Sequence, residues 1–252
     1  MKLKLGAWVV AAWCGLVVWG VEGQRAHATE WGPGERMSQA VGRIMAAVRI
    51  LSDISTYGYD DGISFLAFFL KYRATVSFER TFNQGSKYVI LGSGDENVED
   101  LDIEILDSNG RTVALDTKDD AMPIVEFSPR QTGAYTIRLN LFKASRSSFC
   151  AAAILRKGGF DVPIRNLVVA TTRLIALCNV IDRYTSDQVT FFDGNNQWAL
   201  YGAVLRRGED TTITNIHLGN GKRIFLAAAD ENARDIDLFC PRQRWKSYSR
   251  RY

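Results

Sequence analysis

The residues of this chain best suited to chemistry are acidic, and most of them lie in one short segment. Five aspartates fall in a turn that leads into a predicted strand and on a later loop: Asp95, Asp100, Asp102, Asp116 and Asp119. Calcium takes about six to eight oxygen ligands from flexible loops, so these carboxylates are a candidate calcium site. The alternative is a solvated strand face, with Asp100 and Asp102 pointing outward because alternate strand residues share a face, and turn aspartates that cap backbone N–H groups.

Other chemistry finds little support in the sequence. Beyond residue 28 the chain contains one histidine, His217, which is too few for a multi-histidine zinc site. Neither a nucleophile motif nor a phosphate-binding loop accompanies it. The sequence therefore predicts a protein that is not an enzyme, with calcium as the single candidate cofactor. A secreted hydrolase, or an enzyme-accessory domain, that works with carboxylates alone stays open as the alternative.

Cysteine and tryptophan residues favour packing roles. Cys150, Cys178 and Cys240 follow residue 28, which permits one disulfide and one free thiol and leaves their pairing open. Cys178 falls on the apolar face of a predicted helix, so we interpret it as a small buried hydrophobe. Trp198 could stack on a carbohydrate, but packing in a core or an interface is the favoured interpretation.

An internal repeat organises the chain. The segment Asp95–Ile103 recurs as Asp230–Leu238, with five identities in nine positions at an offset of 135 residues. Upstream, Arg43-Ile44-Met45-Ala46 is similar to Arg173-Leu174-Ile175-Ala176. The repeat predicts two copies of one unit, at residues 33–157 and 160–240.

Each unit opens with a helix and continues as strands. Apolar residues recur at helical spacing over Met37–Leu51 and Leu167–Ile181. From Thr75 the period changes to two, and short strands follow at intervals that indicate an antiparallel jelly-roll-like sandwich. The predicted fold class is therefore mainly β with helices (α+β). After Leu238 the alternation stops, so we expect an incomplete second copy and a disordered basic tail at residues 241–252.

The first unit resembles a known family. The residues that bear the resemblance are Gly85 and Tyr88, Gly92-x-Gly94-Asp95, Asp100-Leu101-Asp102-Ile103, Asp107-x-Asn109-Gly110, Asp116, and Thr132-Gly133-x-Tyr135. This order is similar to the bacterial pre-peptidase C-terminal domain, a β-sandwich of secreted enzymes and envelope proteins, over about residues 75–142, with a partial second copy. The resemblance implies a non-catalytic accessory, targeting or binding module, and calcium binding occurs in relatives.

The beginning of the chain predicts export. Lys2 and Lys4 precede an uncharged apolar run, and Ala26-His27-Ala28 is a cleavage signal, so residues 1–28 are predicted to be a signal peptide. The basic charge lies at the two ends of the chain, which argues against a nucleic-acid-binding face. We expect an exported binding or structural module in the periplasm, at the cell surface or outside the cell. Its predicted partner is a protein or polysaccharide of the envelope, with membrane contact only through an uncleaved leader.

Overall fold

The residues that the structure describes form two antiparallel β-sheets and two helices arranged in three layers. The structure is a computed structural model that describes residues 12–20, 34–184, 190–191, 198–213, 216 and 222–239. The helices cover one face of the larger sheet, and the smaller sheet covers part of its other face. The prediction of a mainly β protein with helices is confirmed.

The larger sheet, sheet A, has nine strands. Their bounds are β1 Ala12–Gly20, β2 Tyr57–Tyr59, β3 Gly62–Leu70, β5 Tyr88–Gly94, β8 Ile124–Phe127, β10 Ser148–Lys157, β11 Thr190–Phe191, β12 Leu200–Leu205 and β13 Arg223–Ala228. The main order is β11-β1-β12-β3-β10-β5-β8, with β13 paired to β1 and β2 paired to β10. Strand β1 lies within the predicted signal peptide, and the prediction of cleavage stays a prediction.

Sheet B has four strands in the order β4-β9-β6-β7. Their bounds are β4 Thr75–Phe82, β6 Val98–Leu106, β7 Thr112–Asp116 and β9 Gly133–Ala144. A hairpin at Ser108-Asn109-Gly110 joins β6 to β7, and Gly110 has the positive φ of 75° that favours glycine. Sheet B shares one hydrophobic core with β3, β10, β5 and β8 of sheet A, so these strands form a β-sandwich.

Both helices are amphipathic, as their periodicity predicts. They are α1, Glu35–Ile54, and α2, Ile164–Tyr184. Helix α2 is long and apolar enough to cross a membrane by length and composition. However, Leu167, Ala170 and Leu174 lie in the core that the helices form with sheet A, so this face of α2 packs within the protein.

Strand β3 shows why sheet A has so few polar residues. Phe65 and Ala67 pack under the helices, whereas Leu66 and Phe68 pack against sheet B. A strand covered on both faces becomes apolar throughout and loses its period of two. Periodicity therefore gives no strand signal over the aromatic stretch that begins at Phe65.

The cysteine and tryptophan interpretations are confirmed where the structure describes these residues. Cys150 and Cys178 are buried free thiols. Trp198 is buried against Phe68, and its indole N–H donates to the carbonyl of Ser77 at 2.8 Å. His217, Cys240 and the basic tail lie outside the described residues.

Candidate functional site

The Asp95 turn is a backbone-capping device. One carboxylate oxygen of Asp95 accepts from the Asn97 backbone N–H at 2.9 Å, and the other accepts from the Phe149 N–H in β10 at 2.8 Å. From α1, the Arg43 guanidinium donates to the carbonyls of Gly94 and Asp95 at 2.8 and 3.1 Å. These contacts fasten the end of β5 to both β10 and α1, and they use both oxygens of Asp95.

The second half of the chain contains a closely similar arrangement. Asp230 is buried and accepts from the Asn232 backbone N–H at 2.9 Å. The Arg173 guanidinium of α2 donates to the carbonyls of Ala229 and Asp230 at 2.7 and 2.8 Å. The bond from the asparagine backbone N–H and the two bonds from the helix arginine therefore recur at Asp230 as at Asp95.

Asp100 is the unusual carboxylate. Its side chain is 7% exposed, and its Oδ1 is buried without a hydrogen-bond partner among the described residues. Burial raises the pKa of Asp100 most, and the charges of Asp102, Asp119 and Asp120 raise it further. We call these four residues the acidic edge. The charge of Lys143, opposite Asp100 on β9, lowers this pKa and offsets the acidic charges in part; a cation bound there would compensate the rest.

A local irregularity of β6 buries Asp100. The register with β9 shifts on both sides of it, from Val98 opposite Ala144 to Asp100 opposite Lys143 and then Leu101 opposite Leu141. Such a bulge breaks the alternation of faces. Asp100 and Leu101 are consequently both buried, and the expectation that Asp100 points outward with Asp102 is wrong for Asp100.

The remaining predicted ligands differ in availability. Asp102 accepts from the Asn140 amide at 3.3 Å, and burial raises its pKa. Both oxygens of Asp116 are used, by the N–H groups of Lys118 at 3.2 Å and Ile124 at 2.9 Å. Asp119 is exposed.

The structure thus brings three of the five predicted calcium ligands close together, and it adds a fourth aspartate that was not among the predicted ligands. Asp100, Asp102 and Asp119 belong to the acidic edge, whereas Asp95 caps its own turn. Asp120 joins them because its backbone carbonyl accepts from the N–H of Leu101 at 2.9 Å, which holds its loop against β6. Across the described parts of the chain, no three acidic, histidine or cysteine side chains already meet in a metal-holding arrangement.

The buried thiols and charges serve packing. Burial raises the pKa of Cys150 well above its ordinary value and that of Cys178 to about 12, so both thiols are protonated at neutral pH. Asp60 is buried between Arg80 and Arg156, with N···O distances of 2.7 Å to each. Its charge is therefore matched on both carboxylate oxygens, as in a structural ion-pair network.

A cleft of about 880 Å³ opens beside β12. Its floor is apolar and includes Ile63, Tyr201, Ala203 and Ala227, and its rim bears charges of both signs: Arg206, Arg207, Glu209, Asp210, Arg234, Asp235 and Asp237. We call this the β12 cleft. No sequence pattern indicated this cleft, because it depends on where sheet B ends over sheet A.

The β12 cleft lies on the sheet face that sheet B covers elsewhere. Leu200 and Val204 pack under the helices, so the alternating residues Tyr201 and Ala203 point to the opposite side. Tyr201 belongs to the core beneath sheet B. The cleft is thus a part of sheet A that sheet B leaves uncovered.

Comparison with known proteins gives little. No protein-family model matches the chain, and no curated protein matches its sequence. One solved structure with partial similarity is PliG of Aeromonas hydrophila, a periplasmic lysozyme inhibitor of g-type lysozyme. The match covers 37% of this chain and 87% of that chain, at 10% identity and a TM-score of 0.29. A likeness of this size supports no conclusion about this protein.

Proposed function

We propose that this chain is an exported, non-catalytic binding or structural module whose ligand is a protein or polysaccharide of the cell envelope. The β12 cleft is the observation on which this proposal rests. An apolar floor with a few polar groups around it is the usual form of a ligand site, because the floor supplies affinity and the rim supplies orientation. The leader at residues 1–28 would deliver the module out of the cytoplasm.

The cleft also offers exposed apolar side chains at its mouth. Ile236 and Leu238 line it and are 37% and 49% exposed, and Phe239 beside them is 85% exposed. Clusters of exposed apolar groups within a polar rim mark interaction sites more often than isolated ones do. A partner that covers them would gain the burial of this apolar surface.

A photo-cross-linking residue placed at Leu238 tests this function. Irradiation in living cells should join the protein to one envelope component, and Ile236→Asp should suppress the product. The matched control is the same residue at Leu115, which is 56% exposed on β7, away from the cleft. Equal products from both positions, or saturable hydrolysis of an envelope polymer, would contradict the proposal.

We also propose that calcium stabilises this module at the acidic edge. The buried, unpaired Oδ1 of Asp100 and the neighbouring charges support this, since a bound cation would supply the missing partner. A ligand that binds only the folded state raises the melting temperature by mass action.

Melting curves with calcium and with chelator test the ion. Calcium should raise the melting temperature, and Asp100→Asn combined with Asp102→Asn should remove the increment. Asp235→Asn combined with Asp237→Asn is the matched control, because these exposed acids occupy the repeat's corresponding positions and should leave the increment intact. If neither calcium nor chelator changes the melting temperature of the wild type, the calcium proposal is wrong and the aspartates only cap their turns.

We infer that the two halves derive from one duplicated unit related to the pre-peptidase C-terminal domain. The shared contacts of Arg43 with Asp95 and of Arg173 with Asp230 support the duplication. The sandwich formed by sheet B supports the relationship. Such domains are accessory modules, which agrees with a binding function.

A further inference from the structure

Strand β1 occupies a central position in the second half of the sheet. It pairs with β12 through residues 12–17 and with β13 through residues 15–20. Residues 15–17 pair with both neighbours, so these neighbours lie on opposite edges of β1. Within the described residues, β13 has no other strand partner. Removal of β1 would therefore leave β13 without its ladder.

Strand β10 holds the same position in the first half. Ala151 in β10 is the Cα partner of Ala67 in β3 and of Ser93 in β5. Gly15 in β1 is the partner of Gly202 in β12 and of Ala228 in β13. Gly202 follows Ala67 by 135 residues, and Ala228 follows Ser93 by the same number, which is the offset of the sequence repeat. Strand β1 thus takes the place of β10 in the same register.

The two occupants have similar sequences when this register aligns them. Trp13-Cys14-Gly15 in β1 falls on Phe149-Cys150-Ala151 in β10: an aromatic residue, a cysteine and a small residue in that order. The place between the two neighbouring strands therefore accepts an apolar strand with a small residue directly after the cysteine. In β10 all three of these residues are fully buried.

We propose that the space between β12 and β13 is a strand-acceptor site, which an extended apolar segment of a partner protein fills after export. The proposal rests on the exported binding function above, because cleavage after Ala28 removes β1 with the leader. In the uncleaved chain, residues 12–20 fill the site. In the exported chain, a strand from a partner protein takes their place, antiparallel to both neighbours.

Hydrogen bonding explains why the open site requires a strand. Once β1 leaves, β12 and β13 each present a row of unpaired backbone groups, as the edges of a sheet do. With β1 in place, Ala203 and Val204 are 2% and 1% exposed, so its departure would uncover backbone that is otherwise buried. An added strand satisfies both rows at once, which is the basis of peptide recognition by strand addition. A polysaccharide lacks the regular N–H and C=O pattern that this requires.

A cysteine cross-link tests the site in the processed protein. The full chain is exported, recovered from the periplasm, and its mass establishes whether residues 1–28 are gone. The probe is a peptide with the sequence of residues 147–157, whose cysteine should align with the former Cys14 position opposite Ala203. In a Cys240→Ser background, the Ala203→Cys variant should form a disulfide with this peptide.

Val204→Cys is the matched control. Facing Cα atoms in an antiparallel pair lie about 4.5–5.5 Å apart, which suits a disulfide, whereas the neighbouring residue points to the other face. We expect about tenfold more adduct with Ala203→Cys than with Val204→Cys, and none with a scrambled peptide. The unprocessed chain, expressed without export, gives a second measurement if the processed form does not fold. There Ala203→Cys should bond to the chain's own Cys14, and Val204→Cys should not.

Each outcome bears on a definite part of the proposal. A processed, folded monomer that forms no adduct overturns the acceptor site, whereas the cleft function is judged separately, by the photo-cross-link at Leu238. An exported protein that keeps its leader also overturns it, since the site then stays filled. Cross-links between two copies of this chain through Ala203→Cys would show that a second copy is the occupant, not a partner protein. Failure of export would refute the proposed function itself.

Discussion

Removal of the Asp95 carboxylate should destabilise the protein far more than the loss of an ordinary turn residue. The side chain is fully buried and accepts from two backbone N–H groups, those of Asn97 at 2.9 Å and Phe149 at 2.8 Å. It also accepts from the Asn97 amide at 3.1 Å. Asp95→Ala removes all three bonds without admitting water to the Phe149 N–H.

The magnitude follows from the two backbone donors. A hydrogen bond to a charged group contributes about 1.5–3 kcal/mol, and a buried donor left without an acceptor loses that contribution in full. Two such bonds give an expected loss of about 3–6 kcal/mol in the free energy of unfolding. This is a large fraction of the roughly 5–15 kcal/mol that stabilises a typical domain.

Equilibrium urea unfolding measures this loss, with Asp107→Ala as the matched control. Asp107 also accepts from two backbone N–H groups, those of Asn109 at 2.8 Å and Arg111 at 3.0 Å, but its turn is exposed. Water can replace the carboxylate there, so the control should lose much less. An unchanged denaturant slope would assign the difference to the folded state. Equal losses in the two variants would refute the argument from burial.

Three further outcomes follow from the same contacts. In chelator, Asp100→Asn should stabilise the protein at neutral pH. Because the pKa of Asp100 is raised in the folded state, the folded protein binds more protons than the unfolded protein at pH values above the ordinary aspartate pKa. The stability of the wild type therefore falls as pH rises from the ordinary pKa to the raised one, and the asparagine variant avoids this loss. The gain, read from urea unfolding, should vanish below the ordinary pKa. With the other two cysteines replaced by serine, Cys150 and Cys178 should resist an aromatic disulfide reagent until urea unfolds the chain, because burial raises both pKa values; fast labelling of the native protein would contradict this. Arg43→Met should lower the melting temperature by removing the donor to the Gly94 and Asp95 carbonyls, and an unchanged value would mean that the contact contributes nothing.

Local periodicity was enough to predict both helices and the strands between Thr75 and Leu141. Helix α1 has one apolar face because only that face meets sheet A, and β9 alternates because sheet B is covered on one side. The same reasoning failed at β3, where both faces are covered and alternation disappears.

The candidate site was only partly predictable for a different reason. Sequence spacing placed Asp100 and Asp102 on one face, but a bulge is set by pairing with β9, and it buries Asp100 beside the charges of Asp119 and Asp120. The β12 cleft was wholly beyond prediction, since it results from where sheet B ends over sheet A. Such features depend on how distant segments meet, and no local pattern encodes them.

The N-terminal run shows how one sequence property can satisfy two physical demands. An export leader must be apolar and uncharged so that it leaves water, and a strand buried on both faces has the same composition. Hydropathy therefore cannot separate the two roles of residues 12–20. The strand register can separate them. A leader needs no particular residue at any one position, whereas position 15, between β12 and β13, corresponds to position 151 in β10. The residue there, Ala151, is fully buried under the helices. Glycine at position 15 meets that demand, and apolarity alone would not have required it.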